Sequence, residues 1–323
     1  MTTLTEHAAE QLIAANAFAP APPGFVGAAV DVPAPQVRGR HALRHGFLKP
    51  GSPRSAIVSG PPSPGLAVCL ARMTDDLRAA RPLIAPPGDR FSPEAGIRVG
   101  LEAGLEGGGI LGLARRWRLA HRLAPVLAAA FANAPAAGLR SIRQAGRKNL
   151  PVVPPGDPRQ AWLAYAMSTP TPAGVSLRDR FRAGDAPTAT ELADHLDALR
   201  PPVAARGHLE LDVADAQPGD GWRLPIAVAA ALLDDPRAAA QAEIATDHLA
   251  SEPGLWERAA RAALTDPVLA AAARDCFLAA YAALARQGAA RSLRDAVADY
   301  TERYVLRART PADDILDHLT ARP

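Results

Sequence analysis

The chain has 323 residues, 48% of them hydrophobic and 21% charged, with a formal net charge of +3; that length allows one large domain or two smaller ones. So small a charge, with acidic residues interspersed among basic ones, argues against a nucleic-acid protein with a concentrated basic face. No apolar run approaches the length of a membrane-spanning helix, and the start MTTLTEHAAEQ lacks the basic and apolar regions of a signal peptide, so the expected setting is the cytoplasm, with no membrane partner. Lys49 and Lys148 are the only lysines, so the basic side is almost wholly arginine. Cys69 and Cys276 lack metal-ligand spacing and read as reduced, partly buried thiols.

A short amphipathic helix is expected over residues 5–18, followed by a proline-rich joint and a strand, GFVGAAVDV, from Phe25 to Val32. Residues 33–64 are rich in proline, glycine and arginine, and only SAIVSG reads as a strand. A helix from Leu66 to Arg81 carries the stripe Leu66, Leu70, Met73, Leu77 and Ala80. The GLEGGGILG segment, residues 104–112, invites a phosphate-loop reading, but it lacks the Gly-Lys-Ser/Thr ending and is better taken as a flexible connection. From Ala114 to Ala134 a helix is expected to bury Trp117, Leu123, Leu127 and Phe131, with Arg115, Arg118 and Arg122 on a solvated face. Arg140 and Arg143 are three apart and would point the same way on a helical turn, where guanidinium forks suit a carboxylate or phosphate. Asp157 should cap a helix beginning at Pro158, and Thr188 with Glu191 forms a capping box for a helix over 188–199.

The stretch from Arg206 to Pro236, RGHLELDVADAQPGDGWRLPIAVAAALLDDP, reads as strand, turn and helix. His208, Glu210 and Asp212 alternate with Leu209, Leu211 and Val213, so one strand face is titratable and the other apolar. Asp220 is the expected N-cap for the apolar helix from about Trp222 to Leu233. A solvated edge strand explains the same alternation. Beyond Pro236 everything reads helical, and Cys276 falls among Leu269, Ala273, Ala280 and Leu284 as a core residue. Periodicity alone gives a mainly helical protein with a few N-terminal and central strands.

This stretch resembles the core motif of the actinobacterial glutamate-cysteine ligases of the ergothioneine pathway, within the carboxylate-amine ligase family. Their strand R-G-H-L-E-L-R, followed by D-A-Q-P-G-D-G-W and L-L-D-D-P, is matched by Arg206 to Leu211, Asp215 to Trp222 and Leu232 to Pro236. Further matches are Trp117 to His121, Ala130 to Asn133, the segment GLRSIRQA from Gly138, in which Leu139 replaces the family's tryptophan, and Glu302 to Val305. The departures concentrate at charged positions. The family's arginine after the second leucine is Asp212 here; of two glutamates in its opening strand the first is Ala29 and the second Asp31; Ile57 replaces another. Ile97 to Ala103 stands in for a further family strand, with Arg98 for a glutamine and Glu102 for an aspartate, and most of the family's stretch between Arg81 and Arg98 is absent.

The resemblance implies an α+β, glutamine-synthetase-like carboxylate-amine ligase fold: a cupped antiparallel sheet with packed helices and a helix-rich C-terminal half. It implies one ligase-like domain over residues 1–323, with a shortened strand-bearing part to residue 105 and a helical part holding the central strand 206–214. The implied activity is ATP-dependent formation of γ-glutamylcysteine from L-glutamate and L-cysteine through a γ-glutamyl phosphate. The implied site has Asp31, Glu102 and Glu210 on Mg2+, Arg140, Arg143 and Gln144 on ATP, and Arg140, Arg143 and Glu210 as catalytic residues. Ala29 and Ile57 have lost their oxygens and Asp212 reverses a charge, so a shortened, non-catalytic relative that binds a metabolite or a partner protein stands beside that reading.

Overall fold

The computed structural model describes residues 3–34, 36–51, 54–84, 93–147, 150–171 and 173–321. The shortened stretch between Arg81 and Arg98 falls partly on residues 85–92, outside the described residues.

Eight strands, β1 (Phe25–Pro33), β2 (His41–Ala42), β3 (Phe47–Pro50), β4 (Ser55–Ser59), β5 (Ser63–Pro64), β6 (Gly96–Leu101), β7 (Val203–Ala205) and β8 (Leu209–Asp215), form one sheet among the described residues. The order is β2-β3-β4-β1-β6-β8-β7, with β5 added to β1, and every pairing is antiparallel. The cupped antiparallel sheet with packed helices is therefore present. The strand expected over 206–214 is Leu209–Asp215, and it lies one place from the edge formed by β7.

Period-2 alternation decides the two faces of the sheet. Val26, Ala28, Val30 and Val32 of β1, Ile97, Val99 and Leu101 of β6, and Leu209 and Leu211 of β8 are buried in one hydrophobic cluster with the helices. The helices Leu113–Ala130 and Arg223–Asp234 pack on β8 and β6, and the helix Pro267–Arg286 packs on both of them. That last helix corrects the sequence expectation: it is long and apolar enough to cross a membrane by length and composition. Here it buries Leu269, Ala273, Cys276, Phe277 and Leu284 in the core.

Local signals explain most helix starts. Asp157 accepts from the Arg159 and Gln160 amides, and both bonds of the Thr188–Glu191 capping box form. Asp220 does not cap as expected. A 3-10 turn, Gly219–Trp222, comes first, the helix starts at Arg223 with no side-chain cap, and Asp220 pairs with Arg223 at 3.4 Å. The glycine-rich connection holds one 3-10 turn, Gly109–Leu111. Of the arginine row, Arg115 pairs with Glu243 and Arg122 with Asp247, while the intervening Arg116 is buried and clamps the Glu102 carbonyl (2.7 Å) and Asp234 (2.8 Å).

Candidate functional site in the sheet cup

The sheet face turned from the core is floored by small residues. Gly27 lies opposite Gly100, and Ala29 lies between Ser59 and Arg98. On the far side Gly100 faces Glu210 and Arg98 faces Asp212. A bulge after Ile97 leaves Val213 as the extra residue of β8, which brings Asp212 level with Arg98. Two adjoining depressions share Arg98. One, of about 470 Å³, lies over Gly27, Ser59, Gly100, His208 and Glu210; the other, of about 620 Å³, lies over Asp31, Arg98, Arg143 and Asp212. A larger groove of about 900 Å³ between the Leu66–Ala80 and Arg291–Arg303 helices is walled mainly by small and apolar residues, so chemistry rather than size picks out the cup.

The second depression is an array of charges. Five cations, Lys49, Arg98, Arg143, Arg147 and Arg200, line it against the carboxylates of Asp31, Glu94 and Asp212. Arg98 Nη2 lies 2.6 Å from Asp31 Oδ1, while the Gly96 amide donates to Asp31 Oδ2 at 3.0 Å. Asp212 is ion-paired with Arg143 and lies 3.8 Å from Arg147. Arg143 reaches the floor because Gly96 has no side chain: a Cβ there would lie 2.5 Å from the guanidinium carbon. Gly100 makes the same room for the His208 ring, whose Nε2 would be 2.9 Å from a Cβ.

Burial and mutual charge set the protonation of this cluster. Burial alone would raise Asp212, but Arg143, Arg147 and Arg98 hold it below the usual carboxylate range. Asp31 goes the other way, raised by burial that outweighs Arg98 and the Gly96 amide. Burial and the neighbouring Arg143 pull Arg147 down to about 10, which leaves it charged at neutral pH, its guanidinium 5.8 Å from the Trp256 ring centre. Arg143 Nη1 is buried without a hydrogen-bond partner, and Asp215 Oδ1 stands 4.0 Å from it.

The expected site residues are brought together only in part. Asp31, Arg143 and Glu210 face the cup. Arg140 does not: the short helix begins at Ile142, so Arg140 precedes it and shares no turn with Arg143. Its Nε lies 2.8 Å from Asp313 and its Nη1 donates to the Arg261 carbonyl at 3.0 Å. Gln144 is fully buried between the Val213 carbonyl (2.6 Å) and Arg147 (2.6 Å). Both therefore fasten the chain rather than line the cup.

The carboxylates expected on Mg2+ are not assembled either. Asp31 is spent on Arg98, Glu210 lies 3.1 Å from Arg206, and Glu102 follows the end of β6, its carbonyl held by Arg116. Among the described residues no group of three His, Cys, Asp or Glu could hold a metal ion. Magnesium requires several oxygens in near-octahedral array, so the residues present do not fit it. Sequence reading overlooked Lys49, Arg147 and Arg200. The available signals were the four-residue spacing of Arg143 and Arg147 and the rarity of lysine.

The model of glutamate-cysteine ligase family 2 matches residues 94–322. The chain is 34% identical to the glutamate-cysteine ligase EgtA of Mycolicibacterium smegmatis over 71% of this chain and 58% of that protein. It is 30% identical to the glutamate-cysteine ligase EgtA of Mycobacterium tuberculosis over 82% of this chain and 75% of that protein. The chain thus spans little more than half the length of the first relative and three quarters of the second.

Proposed function

Because this chain belongs to glutamate-cysteine ligase family 2, we propose that it is a glutamate-cysteine ligase-like protein whose cup binds L-glutamate without carrying out the ligation. The observation that carries this reading is the excess of cations over carboxylates on the cup wall, where guanidinium groups suit a substrate carboxylate. The setting is thiol (ergothioneine) metabolism in the cytoplasm, and the ligand is a small molecule rather than a nucleic acid or a membrane.

The catalytic reading, in which ATP and Mg2+ activate L-glutamate for attack by L-cysteine, draws on Glu210, which stands on the cup floor opposite Gly100. It is the weaker of the two. Ala29 and Ile57 offer no oxygen, and Asp31 and Glu210 are each engaged by a guanidinium. Charge neutralisation of a transferring phosphoryl group is the main catalytic requirement of such chemistry, and the carboxylates that would recruit the metal for it are not gathered.

The test is thermal unfolding with and without L-glutamate. A rise in Tm that disappears in Arg143→Gln and persists in Arg140→Ala is the expected result. No rise in the unaltered protein, or a rise indifferent to Arg143, would overturn the assignment.

A further inference from the structure

The misfit between the cup and magnesium has a positive counterpart in the arrangement of its cations. Asp31 and Asp212, the carboxylates deepest in the second depression, are already neutralised by Arg98 and Arg143. A divalent cation placed beside them would meet those guanidinium groups at close range, a repulsion that falls off little in a buried setting. An anion would meet the opposite. Arg143 is more than nine-tenths buried, lines the depression, and has one N–H group, Nη1, with no hydrogen-bond partner. Arg147 stands beside it, equally buried, and Lys49 projects from β3 at the register position opposite Ile57, which in turn lies opposite Asp31. The two arginines approach from the short helical turn and the lysine from the sheet.

Resting on the reading of the cup as a ligand site, we propose that the depression holds an oxyanion directly on Arg143, Arg147 and Lys49, with no divalent cation. Carboxylate and phosphate groups share this chemistry, and planar guanidinium forks accept either one bidentately. Asp212 is then the resident anion that keeps Arg143 in place when the ligand is absent, and the ligand takes over part of that pairing.

The experiment is isothermal titration of the full chain with L-glutamate and, separately, with inorganic phosphate, each in buffer containing EDTA and again in excess magnesium. The expected result is binding of at least one of them with affinities in the two buffers agreeing within about threefold, and a loss of about tenfold or more in Arg143→Gln. Lys49→Gln provides a second variant, since Lys49 is exposed and its replacement leaves the core intact; it should weaken binding at unchanged Tm. The glutamate and phosphate arms separate a carboxylate from a phosphoryl ligand. Binding seen only with magnesium would overturn the metal-free site and leave the cup as a ligand site. Binding unaffected by both variants would overturn the placement, and no binding in any arm would overturn the cup reading as well.

Discussion

Arg98 and Asp31 stand on neighbouring strands with Nη2 2.6 Å from Oδ1, and this pair occupies the position where the family resemblance implies a magnesium ligand. Both side chains are largely withdrawn from water, at 12% and 9% side-chain exposure, so the pair is a buried one whose halves depend on each other.

Arg98→Gln leaves Asp31 buried with one amide donor, and the expected cost is about 3 kcal/mol near neutral pH. The sign of its pH dependence follows from Asp31. Burial already raises its pKa in the folded state, and losing Arg98 raises it further. The folded variant then binds its proton more tightly than the unfolded chain, so the deficit is largest above the folded pKa and shrinks on acidification. Urea unfolding of both proteins at about pH 5 and about pH 8 measures this; a deficit equal at both would contradict it.

Asp212 has the opposite sign. Arginines hold its folded pKa below the ordinary value against the effect of burial, so its contribution is present above about pH 4 and is lost as pH falls through the folded pKa. Asp212→Asn removes that contribution. The variant is expected to be about 3 kcal/mol less stable at neutral pH, with the two unfolding curves converging on acidification.

Arg140→Ala separates fastening from binding. It removes the ion pair with Asp313 at the start of the Pro311–Thr320 helix and the bond to the Arg261 carbonyl, at a cost of about 1–2 kcal/mol for a partly exposed group. L-glutamate binding, measured by titration, should be unchanged.

The fold was legible in the sequence where one pattern served one purpose. The alternation in β1 and β8 and the apolar stripe of the Leu66–Ala80 helix predicted their elements to within a few residues. The short strands β2, β3, β5 and β7 were missed, because two to four residues are too few to carry a period of their own and are ordered by their neighbours. The site was legible in its motif and less so in its partners. Arg140 and Arg143 look equivalent along the chain, and only the helix start at Ile142 sends them to different neighbours. The cross-strand meeting of Arg98 with Asp31 and Asp212 joins segments 67 and 114 positions away in opposite directions along the chain, a relationship that no local pattern encodes.

Gly96→Ala tests the floor of the cup without touching a charge. The new methyl group would occupy the place of the Arg143 guanidinium, which must swing away and abandon Asp212. A fold retained by circular dichroism together with at least about tenfold weaker glutamate binding is expected; unchanged binding would show that Arg143 need not rest on the floor.

The central claim, that the cup binds its ligand without performing metal-dependent ligation, is tested most directly by ADP release. Purified protein is incubated with ATP, magnesium and L-glutamate, with and without L-cysteine, beside a Glu210→Ala variant. The predicted result is no cysteine-dependent ADP release in a folded sample that still binds L-glutamate. Cysteine-dependent release that Glu210→Ala abolishes would contradict the claim and establish a working ligase with a reduced carboxylate set.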